Sequence, residues 1–135
     1  MIRVFADTSG LISLKDSSDT HHGEALGYLT AALAEGGVRL VLTNFILAEV
    51  HAYFSRTPKV ALEYLDRLLS DPLFQVLRAS PKDEEAALGI LRHAGDKTYS
   101  MTDAISFAVM DRLGIDSALA FDKHFRQHGR YRILP

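Results

Sequence analysis

With 135 residues the chain has room for one domain, residues 1–135, with a genuine core, and not for two ordinary ones. Apolar residues at 47% and charged residues at 24% exclude a disordered or fibrous chain. No apolar run approaches the roughly 20 residues of a membrane span, and the start reads as a strand instead of a signal peptide, so a cytoplasmic protein is expected. The lack of cysteine removes disulfides, thiolate metal sites and a cysteine nucleophile, and a net charge of -2 argues against a uniformly basic nucleic-acid binder.

Strand-like and helix-like segments alternate along the chain, which points to an α/β fold with a mainly parallel sheet of four to five strands and helices on both faces. Ile2 to Ala6 reads as the first strand and ends at Asp7; Thr8 and Ser9 are cap candidates for a short helix to about Leu14. After a polar loop, His22 to Glu35 reads as a helix with Ala25, Leu26, Leu29, Ala32 and Leu33 on one face, ended by Gly36-Gly37. Arg39 to Leu42 is a second strand. Thr43 or Asn44 can cap the next helix, in which Phe45, Ile46, Val50 and Tyr53 share a face that also carries Glu49.

Pro58 permits a helix over about Lys59 to Leu69, with Val60, Leu62, Leu65, Leu68 and Leu69 as apolar cover. A short strand over Phe74 to Leu77 and a helix over Pro81 to His93 follow. The loop Gly95 to Thr102 is dense in hydroxyls and precedes a strongly apolar helix that stops at Gly114; Ser100 or Thr102 would cap it, with Asp103 in its first turn. Ser117 to Phe121 is a strand ending at Asp122, Lys123 to His128 a short helix, and Tyr131 to Leu134 a last strand.

In open parallel sheets, ligands bind beyond the carboxyl ends of the strands, where strand order reverses. Asp7 and Asp122 occupy such ends, and Glu49 and Asp103 lie on helices able to reach the same edge. Each acid alone has a structural explanation: a cap for Asp7, a turn for Asp122, a dipole partner for Asp103, a salt bridge for Glu49. Together they suggest one cation site, because two carboxylates ~4 Å apart repel by about 4 kcal/mol at an effective dielectric near 20. An all-carboxylate site suits Mg2+ or Mn2+ and metal-assisted phosphodiester hydrolysis. Thr8, Ser9, Ser100 and Thr102 are candidates for orienting the carboxylates or water, and Lys123 and Arg126 begin a basic segment, continued by Arg130 and Arg132, beside Asp122. His124 and His128, one helical turn apart, could hold zinc, but no His-Glu-x-x-His motif accompanies them.

The stretches Val4 to Gly10, Thr43 to Val50, Asp96 to Met110 and Ala120 to Phe125, in that order and spacing, resemble PIN-domain proteins, specifically VapC-type ribonuclease toxins of toxin-antitoxin pairs. By position, the resemblance makes Asp7, Glu49, Asp103 and Asp122 an acidic quartet with both metal-binding and catalytic roles. It further implies a PIN-like three-layer α/β/α sandwich, a Mg2+- or Mn2+-dependent endoribonuclease, an RNA substrate, a homodimer and a VapB-like antitoxin. Asp96 is a further acid able to orient RNA or metal, against the simpler expectation of an ion pair with Lys97. Two other readings compete. One is a PIN-fold RNA- or protein-binding module with weak or no catalysis. The other is a receiver-like Mg2+-binding signalling domain, which the single acid after the first strand and Leu77-Arg78 after the third argue against.

Overall fold

A computed structural model describes residues 1–135. Five strands, β1 (Ile2–Ala6), β2 (Val38–Thr43), β3 (Phe74–Leu77), β4 (Ser117–Leu119) and β5 (Arg132–Leu134), form one sheet in the order β3-β2-β1-β4-β5. Every pairing is parallel, so the expected mainly parallel sheet is wholly so. The chain steps outward from β1 to β2 and β3, then crosses back to β4 on the far side of β1. In open parallel sheets, a reversal of this kind is where ligands bind, here beyond the carboxyl ends of β1 and β4.

Seven helices fill the connections: α1 (Thr8–Lys15), α2 (His22–Ala34), α3 (Asn44–Phe54), α4 (Pro58–Ser70), α5 (Pro81–Arg92), α6 (Met101–Leu113) and α7 (Lys123–His128). Right-handed crossovers running in opposite directions along the sheet put α1 to α4 on one face and α5 to α7 on the other. Accordingly, α1 packs on α2 and α3, and α3 on α4, whereas α5 packs on α6. The core is the sheet's interior with its helical cover, including Phe5, Leu40, Leu42, Phe107 and Phe125, and α6 is buried continuously from Asp103 to Met110.

Several local expectations change on folding. Neither Thr8 nor Ser9 caps α1: Asp7 stands at its N-cap position, and its carboxylate makes no capping bond. Thr43, not Asn44, caps α3 by accepting the Ile46 N–H, and Ser100, not Thr102, caps α6. The buried face of α4 is Ala61, Tyr64 and Leu68, leaving Leu62 and Leu69 exposed; on α2, Leu26 and Leu33 are likewise exposed while Ala25 and Ala32 are buried. The deciding factor is tertiary. Tyr64 turns inward because its hydroxyl donates to the Leu11 carbonyl of α1 at 2.6 Å, which sets the roll of α4.

Gly10 fixes how closely α1 approaches the sheet. A Cβ at this position would overlap the backbone carbonyl of Leu119 at the end of β4. Its absence lets the α1 start lie directly on β4, so that Asp7 N–H donates to the Leu119 carbonyl at 3.1 Å. The ends of β1 and β4 are thereby held side by side.

Candidate active site

Ser9 ties these two strand ends together. Its hydroxyl oxygen accepts the N–H groups of Phe121 (2.9 Å) and Asp122 (3.2 Å), while its proton goes to Asp7 Oδ2 at 3.0 Å. One hydroxyl thus organises the segment after β4 and orients the carboxylate after β1. Asp7 is only 4% exposed. Burial pushes its carboxyl up to about 7, with the charges of Asp103 and Asp122 adding to the rise and the Ser9 hydroxyl opposing it.

Asp103 is also buried, and its position follows from a capping box. Ser100 Oγ accepts the Asp103 N–H at 3.0 Å, and Asp103 Oδ2 accepts the Ser100 N–H at 3.0 Å. Asp122 caps α7, accepting the His124 N–H at 2.8 Å, and keeps its side chain 38% exposed. Asp103 and Asp122 are therefore near enough to Asp7 for their charges to act on it.

Glu49 departs from the expected picture. It does not lie on the buried stripe of α3, whose inward residues are Ile46 and Val50; it is exposed, as is Tyr53. It approaches the site from outside, where Thr8 Oγ1 donates to Glu49 Oε1 at 2.6 Å. Thr8, adjacent to Asp7, thus links Glu49 to the site.

The sequence sets His124 and His128 one helical turn apart, as a zinc pair would need, but the two rings face different neighbours. His124 Nδ1 lies 2.8 Å from Asp103 Oδ2 and 3.1 Å from Asp122 Oδ1, yet neither oxygen is aligned to accept its N–H. His128 instead stacks flat on Phe107, with ring centroids 4.1 Å apart. The only sequence signal for the role of His124 was its place two residues after Asp122, where a helical first turn folds back toward the cap.

No three of the chain's carboxylates and imidazoles stand close enough to enclose a metal ion. The donor chemistry nonetheless fits a hard divalent cation that keeps most of its waters, since such ions need only one or two carboxylates beyond water and substrate phosphate. The buried Asp7, with raised proton affinity beside two more acids, is the group a cation would relieve most.

The remaining candidates lie around this centre. Thr102 is half-buried, and its carbonyl accepts from Ser106. Lys123 and Arg126 are exposed on α7. Asp96 is exposed and forms no ion pair with Lys97, contrary to the simpler expectation. A hollow of about 650 Å³ lies at the opposite edge of the sheet, where Arg3, Tyr28, Glu35, Asp116 and Arg132 mix both charges. It is remote from the acids.

A model of the PIN domain family matches residues 4–131. The 23S rRNA-specific endonuclease VapC20 of two Mycobacterium tuberculosis strains is 29% identical over 134 residues, covering 98% of this chain and 98% of its own. The crystal structure of M. tuberculosis VapC20, described as a sarcin-ricin loop cleaving toxin, superposes with a TM-score of 0.83 at 29% identity over the whole of both chains. VapBC2 from Rickettsia felis, solved bound to a promoter DNA fragment, gives 0.73 at 13% identity over 98% of this chain and 97% of its own; that likeness is one of fold.

Proposed function

This chain belongs to the PIN domain family, and from that premise we propose that it is a Mg2+- or Mn2+-dependent endoribonuclease, the toxin of a toxin-antitoxin pair. The observation that carries the reading is the buried Asp7 at the end of β1, whose proton affinity is raised first by burial and then by the charges of Asp103 and Asp122. The substrate we propose is ribosomal RNA, after the 23S rRNA-specific relative. A VapB-like antitoxin, a homodimer and a cytoplasmic location complete the reading; no helix is long and apolar enough to cross a membrane.

In this reading Asp7, Asp103, Asp122 and Glu49 are the acids that would hold the cation, one or two of them directly, since such an ion keeps most of its waters. A bound cation would supply a more acidic water and stabilisation of charge on the reacting phosphate. Water oxygen adds to phosphorus, the bond from phosphorus to one ester oxygen breaks, and that oxygen leaves with a proton. The protein's own part is orientation. Ser9 fixes the Asp7 carboxylate and the α7 approach, Thr8 holds Glu49, and the Ser100 cap sets Asp103. These bonds are in place before substrate arrives, which removes reorganisation from the reaction step.

The approach of His124 to both Asp103 and Asp122 favours a second reading, a PIN-fold binding module in which this imidazole occupies the space beside the acids without catalysis. The two separate cleanly. Partner-free protein incubated with total cellular RNA, with and without Mg2+ or Mn2+, should give discrete new RNA ends that vanish in Asp7→Asn. Cuts that persist in the variant would refute the assignment of Asp7, and RNA left intact under both metals would favour the binding module.

A further inference from the structure

Beside the acids, the loop Gly95 to Tyr99 and α7 enclose two hollows of different chemistry. The first, about 250 Å³, is lined by Ile90, His93, Ala94, Lys97, Tyr99 and His128. The second, about 370 Å³, has only polar walls: Asp96, Lys97, Thr98, Lys123 and Gln127. Lys97 borders both. Resting on the nuclease reading above, we propose that together they form the subsite for one RNA nucleotide beside the cut, its base in the first hollow and its phosphate between Lys97 and Lys123 in the second.

Position is the first argument. The Tyr99 ring lies 6.1 Å from the His124 ring, and His124 Nδ1 lies 2.8 Å from Asp103; Thr98 Oγ1 is 3.4 Å from His124 Nε2. Both hollows are therefore one side chain away from the proposed chemistry. A strand cut at the acids must extend over adjoining surface, and these hollows lie on it.

Chemistry is the second. Sequence-selective RNA recognition relies on unstacked bases placed against aromatic, histidine or arginine planes. Tyr99 is held edge-on to Phe107 at 5.1 Å, and His128 is stacked flat on the same ring, so both walls are braced from behind. Burial, with help from the charges of Arg130 and Lys97, holds the His128 imidazole below its ordinary value, so it offers an uncharged aromatic wall at neutral pH. One planar base matches an open hollow of about 250 Å³ with aromatic walls.

Charge is the third. Neither Lys97 nor Lys123 has a carboxylate within 4.0 Å, although the chain as a whole is acidic. With Asp96 counted, the polar hollow carries a net single positive charge, enough for one phosphate and too little for a duplex backbone. The carboxylates of an acidic peptide would find the same lysines but gain nothing from the aromatic hollow.

The test uses the full chain carrying Asp7→Asn, without metal, so that RNA is bound and not cut. A short fluorescein-labelled single-stranded RNA is titrated across a range of salt concentrations. Lys97→Gln and Lys123→Gln should each flatten the slope of log affinity against log salt by about 0.7, the contribution of one phosphate contact on a single strand. Tyr99→Leu should weaken binding roughly 10-fold at every salt concentration without changing the slope. Moving an abasic nucleotide along the RNA should locate one position whose loss weakens the Tyr99 protein by the same factor and leaves Tyr99→Leu unaffected. Tyr99→Phe, which keeps the packing on Phe107, should bind as the parent does.

Unchanged slopes in the exposed-lysine variants, an abasic effect equal in both backgrounds, or displacement by polyglutamate with no RNA binding would each overturn the subsite. Cleavage by the wild type is scored in parallel. Cuts without the binding pattern would remove the subsite alone, whereas the binding pattern without cuts would leave the subsite and remove the nuclease.

Discussion

The starts of α5 and α6 carry the same device and put it to different ends. In each, a serine and the aspartate three residues on exchange backbone bonds: Ser80 with Asp83 at 3.2 and 2.9 Å, Ser100 with Asp103 at 3.0 and 3.0 Å. Both aspartates are buried, 2% and 6% exposed. What differs is the company. Arg112 reaches Asp83 with two bonds, Nε to Oδ1 at 2.8 Å and Nη2 to Oδ2 at 3.0 Å, and this pairing leads the effects that hold the Asp83 carboxyl below its ordinary range. Asp103 meets the His124 imidazole together with two further acids. A capping box therefore settles backbone geometry and says nothing about charge; where the chain supplies a guanidinium the carboxylate is paired internally, and where it supplies more carboxylate the proposed reading assigns the charge to a cation.

The sharpest way to break this contrast is to neutralise each aspartate in turn. Asp103→Asn should lower cleavage at least about 10³-fold, equivalent to roughly 4 kcal/mol of barrier, while leaving the melting temperature nearly unchanged. Arg112→Ala should do the reverse, since it strands a buried carboxylate: a loss of about 2–4 kcal/mol in denaturant melts, with cleavage per folded molecule retained. Equal stability losses in the two variants would erase the distinction.

Stability against pH sharpens it further, because the two halves of the molecule have opposite signs. Asp7 binds its proton more tightly folded than unfolded, so stability falls as pH rises from its ordinary 3.8 to about 7. At about 1.4 kcal/mol per pH unit this one group contributes of the order of 4 kcal/mol. Asp7→Asn should remove that slope and stabilise the metal-free protein above neutrality, by about 1–3 kcal/mol, while abolishing cleavage. Asp83, held low, contributes stability that is present above its ordinary value and lost as pH falls below it. Chemical denaturation from pH 4 to pH 8 in EDTA reads the Asp7 slope directly.

A smaller effect is expected at Ser9. Ser9→Ala leaves the half-buried N–H groups of Phe121 and Asp122 without their acceptor, a loss of about 1–2 kcal/mol, and should raise the Asp7 carboxyl further. The pH profile of cleavage should then shift to the alkaline side. An unshifted profile would mean that Ser9 does not act through Asp7.

The element pattern was legible because local rules are strong here. The apolar run to Ala6, the proline starts of α4 and α5, the serine cap of α6 and the left-handed Gly114 all act within a few residues. Asp7 and Asp122 could be singled out as strand-end acids for the same reason. What was hidden depends on distance. The roll of α3, which turns Glu49 outward to Thr8, and that of α4, which exposes Leu62 and Leu69, follow from helix packing. Asp83 and Arg112 are 29 residues apart, and no local pattern marks either as a partner. The approach of His124 to Asp103 requires β4 to sit beside β1, and strand order is not written in any single segment.

The most direct measurement follows the side-chain carboxyl carbons of Asp7 and Asp83 by NMR across pH, first in EDTA and then with Mg2+. Asp7 should titrate near 7 without the cation and fall sharply when Mg2+ is added, since cation and proton compete for the same carboxylate, while Asp83 stays low in both. An Asp7 titration indifferent to saturating Mg2+, alongside intact folding, would contradict the claim that this acid belongs to a divalent-cation site.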